Sequence, residues 1–110
     1  MTIHRRAARR DSNEVEIVRA LIAAGASVTH LSGVDGLPDL LVGYQGRTVL
    51  LEVKHLSPTG KTVRQTSGGR RPDERGLTGD QQDWWAAWRG ASPVIVRTPA
   101  EALAAIGATS

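Results

Sequence analysis

Hydrophobic positions near the start of the chain recur every three or four residues, as on one face of a helix. The pattern predicts a helix over about 12–24, with Asp11 or Ser12 as N-cap and Gly25 as the residue that ends it. The arginine-rich residues 1–11 lack this periodicity, and we expect them to form a flexible arm.

Alternation of apolar and polar residues next predicts three strands. The first is short, at about 28–31, and the other two, 39–44 and 47–54, flank a Gln45-Gly46 turn. A turn of this kind between two alternating segments is typical of an antiparallel hairpin. Its second strand places Glu52 beside Lys54 on one face, because side chains two residues apart point the same way.

Residues 55–76 are rich in Ser, Thr, Gly, Pro and Arg and contain almost no apolar side chains. An irregular segment of this length is uncommon in a compact domain unless it is functional or disordered. We therefore expect a mobile basic loop here.

Two helices and a strand are predicted after this loop. Thr78 can cap a helix that continues to a Gly90 stop, residues 93–97 form a strand, and Thr98 with Pro99 begins a last helix. The element order is α-β-β-β-α-β-α, which predicts an α/β fold. With 110 residues, the chain is expected to hold a single domain over 12–110.

Composition narrows the function classes. The chain has no Cys, which excludes a disulfide framework, a thiolate metal site and a cysteine nucleophile. It also has no apolar run near the roughly 20 residues of a membrane span and no secretory signal pattern, so we expect a soluble, cytoplasmic protein without membrane contact.

Positive charge is concentrated in the arm and the basic loop, although the net charge is only +3. Such clusters suit a polyanion such as DNA, whose phosphates release counterions on contact. For the N-terminal arm, a solvated, disordered segment is an equally good explanation. The candidate nucleic-acid-binding residues are Arg9, Arg10, Lys61, Arg64, Arg70 and Arg71.

The hairpin is expected to bring Asp39 close to Glu52 and Lys54. Two carboxylates on adjacent strands can hold Mg²⁺ or Mn²⁺, and a neighbouring ammonium can stabilise charge that develops on a phosphodiester. A Glu-x-Lys pair alone is more often a surface ion pair than a catalytic site. With Pro38-Asp39 at the start of the preceding strand, thirteen residues before Glu52, a catalytic site becomes the better explanation. No His spacing in the chain suggests a further metal site, including at His30.

These residues carry a family resemblance. Gly36, Leu37, Pro38 and Asp39, followed thirteen residues later by Glu52, Val53 and Lys54, resemble the motif of the PD-(D/E)xK nuclease superfamily. The segment from Leu77 and Thr78 through Gln81, Trp84 and Gly90 is similar to the VRR-NUC group of small phage and bacterial nucleases. The first helix and the Ser32-Gly33 loop also resemble archaeal Holliday-junction resolvases. The likeness covers about 12–98.

The resemblance implies a restriction-endonuclease-like core, a mixed central sheet flanked by helices, and a bacterial or phage origin. It implies that Asp39, Glu52 and the backbone carbonyl of Val53 hold Mg²⁺, for which Mn²⁺ substitutes. It also implies that Lys54 is catalytic. No small-molecule cofactor is expected.

Two further roles are implied for residues that also have structural explanations. Glu14 would complete the site from the first helix, and Gln81 would support Lys54 or contact substrate. Each also fits a capping box, Glu14 with Asp11 and Gln81 with Thr78, so each residue can serve both purposes.

The three tryptophans, Trp84, Trp85 and Trp88, stand in a chain with no Phe. We expect at least two of them to fill the core, and base stacking or a dimer contact remains open for the third.

The function expected is a Mg²⁺-dependent endonuclease that hydrolyses DNA, with branched or junction DNA as a candidate substrate and a homodimer as the assembly. The alternative is a non-catalytic nucleic-acid-binding or assembly module in which Glu52 and Lys54 form only a surface pair.

Overall fold

A computed structural model describes residues 12–31, 34–54 and 71–108. This part of the chain is α/β and has the predicted element order. The elements are α1 (Ser12–Ala23), β1 (Ser27–His30), β2 (Leu40–Tyr44), β3 (Arg47–Val53), α2 (Gly79–Ala87), β4 (Val94–Val96) and α3 (Pro99–Ile106). None of these helices has the length and apolar character needed to span a bilayer.

The strands form one mixed sheet in the order β1-β2-β3-β4. The pairs β1/β2 and β2/β3 are antiparallel, and β3/β4 is parallel. The ends of β1, β3 and β4 therefore meet the start of β2 at one edge of the sheet. We call this the upper edge; it is marked by His30, Leu40, Val53 and Val96.

A two-residue turn sets the register of the predicted hairpin. Gln45 and Gly46 both have positive φ, 48° and 79°, as in a type I′ turn. The turn pairs Leu40 with Leu51 and so brings the residue before Leu40, which is Asp39, level with Glu52. A slip of one residue would move Glu52 to the opposite face, so the turn is part of what assembles the site.

The core lies between the sheet and the two helices α1 and α3. Alternation along β3 sends Leu51 into this core and Glu52 to the other face. The buried apolar residues of the core are Ile17, Leu21, Ala26, Leu40, Val42, Leu51, Val53, Val96, Ala102 and Ile106.

Most elements differ from the prediction by one residue at an end, and α2 differs by more. β1 begins at Ser27 and ends at His30, one residue earlier than expected. α2 ends at Ala87 and does not reach Gly90, because Trp88 takes an extended backbone with φ −70° and ψ 130°. α3 begins as predicted, with the Thr98 side chain accepting from the Glu101 N–H and Pro99 in the first turn.

The prediction that at least two tryptophans fill the core is wrong. Trp84 and Trp85 are only half-buried, and Trp88 is 41% exposed. The turn in the backbone at Trp88 directs its ring onto Trp84, with ring centroids 4.8 Å apart, and its indole N–H donates to the Ala91 carbonyl at 2.9 Å. Aliphatic side chains from α1 and α3 fill the core instead.

The predicted arm at 1–11 and residues 55–70 of the predicted loop lie outside the described residues. The remaining part, 71–76, forms a turn centred on Asp73, which accepts from the backbone N–H groups of Arg75 and Leu77 at 2.8 and 3.0 Å. Burial raises the pKa of Asp73, but these bonds and the Arg75 guanidinium together outweigh it and hold the pKa below its usual value.

Gly36 is the point where the loop before β2 meets α2. Its φ is +90°, and an added Cβ would lie 2.8 Å from the Asp80 carbonyl oxygen and 3.1 Å from the Trp84 Cβ. Gly25 has a similar φ of +101° with nothing within 4 Å of an added Cβ. A substitution at either glycine strains the backbone, but only a substitution at Gly36 also crowds neighbouring atoms, so the pair distinguishes the two effects.

We predict that Gly36→Ala destabilises the protein more than Gly25→Ala does. Both substitutions should cost roughly 1 kcal/mol from the positive φ. Gly36→Ala should cost a further 1–3 kcal/mol or so from overpacking against α2. Urea unfolding of the two variants beside the wild type measures this, and equal losses would contradict the packing of α2 on Gly36.

Candidate active site

The two predicted acidic residues of the hairpin, Asp39 and Glu52, lie at the upper edge of the sheet. Asp39 precedes β2, and its Oδ2 accepts a hydrogen bond from the Val53 N–H at 2.8 Å. Val53 lies between Glu52 and Lys54, so this bond fixes the Asp39 carboxylate against the same short segment of β3. The predicted juxtaposition of Asp39 and the Glu-Val-Lys segment is present.

Glu52, Lys54 and Gln81 form a closed triangle of polar contacts. The Lys54 ammonium is 3.2 Å from Glu52 Oε2 and donates to Gln81 Oε1 at 3.3 Å. The Gln81 amide nitrogen donates to Glu52 Oε2 at 2.7 Å. Glu52 is only 2% exposed and Lys54 only 9%, so the pair is buried and is not a surface ion pair.

Gln81 also makes the predicted capping box of α2. Its side-chain Oε1 accepts from the backbone N–H of Thr78 at 2.9 Å, and its backbone N–H donates to Thr78 Oγ1 at 3.3 Å. The same oxygen receives the Lys54 ammonium. The predicted capping box is therefore confirmed, and the same side chain contacts Lys54, so Gln81 joins the start of α2 to the acid-lysine pair.

Burial dominates the electrostatics of Glu52. Desolvation and, to a smaller extent, the charge of Asp39 raise the pKa of this carboxyl; against the lowering effects of Lys54 and Gln81, the net result is a rise from the ordinary value of 4.5 to about 7. Glu52 Oε1 is buried without a hydrogen-bond partner in the described part of the chain. A buried carboxylate oxygen without a partner is costly, and a cation beside it would offset that cost.

The oxygen atoms here fit a hard divalent cation. Within 12–31, 34–54 and 71–108, no three Asp, Glu or His side chains converge as a metal cluster. Mg²⁺ needs fewer, because it is commonly bound through one or two carboxylates and keeps several waters. Asp39 and Glu52 supply two carboxylates, and the carbonyl of Val53 is the third predicted ligand.

Glu14 lies in the first turn of α1 at the same edge of the sheet. Its Oε2 is 3.5 Å from Nδ1 of His30, the last residue of β1. The structure thus places Glu14 near the end of β1, with His30 as its contact. The alternative capping box with Asp11 involves a residue outside the described ranges.

Five of the predicted DNA-binding residues lie outside the described ranges: Arg9, Arg10, Lys61, Arg64 and Arg70. Arg71 is described and exposed, and its carbonyl accepts from the Gln82 side chain at 3.2 Å. The backbone of Arg71 is thus bonded to a side chain of α2.

One polar residue at this edge was not identified from the sequence. Asn13, in the first turn of α1, donates from Nδ2 to the carbonyl of Lys54 at 3.0 Å and to that of Arg97 at 3.3 Å. The available signal was weak: an asparagine inside a predicted helix, where its propensity is poor, at a position not needed as a cap.

The raised pKa of Glu52 predicts how stability changes with pH when no divalent metal is present. Well below pH 4.5 the carboxyl is protonated in both the folded and the unfolded chain, so the free energy of unfolding does not change with pH through this group and is at its highest. Between pH 4.5 and about 7 only the unfolded chain releases the proton, so stability should fall as pH rises, by up to roughly 3 kcal/mol.

Glu52→Gln should remove this part of the pH dependence, and Glu74→Gln, at an exposed position, should leave it in place. Urea unfolding in the presence of a chelator, at steps across this pH range, makes the comparison. Parallel pH profiles for the wild type and Glu52→Gln would show that the carboxyl is not buried as described.

Comparisons with known proteins give no family for this chain. A scan against family models, a search of curated proteins and a search of solved structures each returned no match. The resemblance to PD-(D/E)xK nucleases therefore stays an expectation from the sequence.

Proposed function

We propose that this protein is a Mg²⁺-dependent endonuclease of the PD-(D/E)xK type that hydrolyses DNA phosphodiester bonds. The observation that carries the proposal is the buried Glu52 carboxylate, which lies beside Asp39 and has one oxygen without a partner among the described residues. Two adjacent carboxylates with an unsatisfied oxygen and a held lysine favour a cation site for phosphoryl chemistry.

The sheet supports the finer fold assignment in this proposal. An antiparallel hairpin followed by a parallel β4, with helices before and between them, is compatible with a restriction-endonuclease-like core. The motif residues stand at the edge where the strands end. Elements that are far apart in sequence meet there, which allows a small domain to build a site.

Asp39 and Glu52 would hold the metal through carboxylate oxygens, with the Val53 carbonyl beside them. When bound, Mg²⁺ supplies a Lewis acid that polarises the scissile phosphate and lowers the pKa of water. The chain itself orients the ligands, since the Val53 N–H fixes Asp39 and the Gln81 amide fixes Glu52. Burial strengthens each of these interactions because little water screens them.

Lys54 would stabilise negative charge that develops on the phosphate oxygens during in-line attack. Its ammonium is held between Glu52 Oε2 and Gln81 Oε1, so its direction is defined before substrate arrives. Gln81 presents its oxygen to Lys54 and its nitrogen to Glu52, which keeps the two charged groups in fixed relative positions. Preorganised charge of this kind needs no reorientation during reaction.

The DNA backbone would be held by the basic side chains of the arm and the basic loop, which include the exposed Arg71. A domain of this size covers few base pairs, so we propose that a homodimer presents two sites to the duplex or junction. The binding-module alternative required a surface Glu-Lys pair, and the burial of both residues disfavours it.

The test of catalysis is cleavage of branched and linear DNAs with Mg²⁺ and with Mn²⁺. We expect the wild type to cut at least one of them and to lose activity when the metal is chelated. Asp39→Asn and Lys54→Ala should each lower kcat roughly a hundredfold or more. Glu74→Gln, at an exposed position, serves as the control with unchanged activity.

The proposal fails if no DNA in the panel is cut with either metal. It fails equally if Lys54→Ala cuts as fast as the wild type, since the residual activity would then come from elsewhere.

Metal binding can be measured without substrate. Mn²⁺ at about 100 times its dissociation constant should stabilise the folded protein by roughly 2.7 kcal/mol, because it binds the folded state alone. Asp39→Asn should lose most of this gain, and Glu74→Gln should keep it. A melting temperature of the wild type that does not respond to Mn²⁺ or Mg²⁺ would contradict a metal site at Asp39 and Glu52.

A further inference from the structure

The first turn of α1 contacts the ends of three strands at the upper edge. Glu14 reaches His30 at the end of β1. The side chain before it, Asn13, reaches the carbonyls of Lys54 and Arg97, the residues that directly follow β3 and β4. Asn13 therefore ties the helix to two neighbouring parallel strands at the point where each ends.

The main chain of Lys54 is held on both sides. Its N–H donates to the Val96 carbonyl at 3.0 Å, which continues the pairing of β3 with β4 by one residue. Its carbonyl accepts from Asn13 Nδ2. With both groups fixed, the direction in which the Lys54 side chain leaves the backbone is fixed too, and its ammonium reaches Glu52 and Gln81.

The chemistry at this position suits asparagine. Two carbonyl oxygens need two N–H donors from one short side chain, and the Asn amide nitrogen carries both. Aspartate has the same shape but would place carboxylate oxygens against the carbonyls of Lys54 and Arg97. Helix formation does not explain the residue, since asparagine is a poor helix former.

We propose that Asn13 is a positioning residue for Lys54: it holds the Lys54 carbonyl so that the ammonium stays aligned with Glu52 and Gln81. This inference rests on the proposed function, in which Lys54 acts on the phosphate. It assigns to α1 a role in the site through Asn13 as well as through Glu14.

The test uses Asn13→Asp, with Asn13→Ala as a second variant that removes the donors without adding charge. The chain offers a matched control at the other end of β3, where Arg47 donates to the Ile106 carbonyl at 2.7 Å. Arg47→Ala also removes a bond from a side chain to a backbone carbonyl, but far from the upper edge.

We expect both Asn13 variants to lower kcat for DNA cleavage roughly tenfold to a hundredfold, with KM and the Mn²⁺ dissociation constant unchanged. In a double-mutant cycle, Asn13→Asp should lower kcat no further once Lys54→Ala is present. Arg47→Ala should lower the melting temperature but leave kcat unchanged, both in the wild type and in the Lys54→Ala variant.

A second readout does not need activity. The ¹⁵N resonances of the Lys54 ammonium and backbone amide should shift in Asn13→Asp and Asn13→Ala and stay in place in Arg47→Ala. If the wild type cuts no DNA while these resonances shift, the nuclease proposal fails and the positioning of Lys54 by Asn13 stands.

Two results would overturn the inference. One is a Lys54 ammonium resonance that is the same in the wild type and both Asn13 variants. The other is an active wild type in which the fold losses of kcat from Asn13→Asp and Lys54→Ala multiply in the double variant, because Asn13 would then act independently of Lys54.

Discussion

The candidate site depends on keeping the Glu52 carboxylate out of water beside Lys54 and Asp39. Removing charges from water is expensive, and attraction between the pair offsets this only when the remaining polar atoms are well bonded. Gln81 supplies the bonding for one carboxylate oxygen and for the ammonium. The other oxygen of Glu52 has no hydrogen-bond partner within 12–31, 34–54 and 71–108, so a positive charge beside it would be favourable.

Strand direction explains why a chain of this size can assemble such a group. Three strands end, and one begins, at the same edge of the sheet. Residues just beyond the ends of strands are free to turn out of the sheet, so Asp39 can reach across to Val53, while α1 and α2 begin close by. Residues that lie as far apart in the sequence as Asn13 and Arg97 meet through this arrangement alone.

The features predicted well from the sequence were those with local causes. The type I′ turn and period-two alternation set the hairpin, and so set Asp39 beside Glu52. Trp88 was predicted wrongly because its conformation follows from stacking on Trp84 and a bond to Ala91, neither of which leaves a periodic signal. Asn13 was missed for a related reason, since its bond to Lys54 joins residues 41 apart and leaves no trace in the neighbouring sequence.

The double use of Gln81 has a consequence for dynamics. One oxygen atom receives both the Thr78 N–H that closes the first turn of α2 and the ammonium of Lys54. A helix of nine residues has little stability of its own, and helix ends open locally far more often than whole domains unfold. Each time this turn frays, the Lys54 ammonium loses its bond to Gln81 Oε1 and is left with its contact to Glu52 Oε2, so the opening of one helical turn loosens the alignment of the lysine.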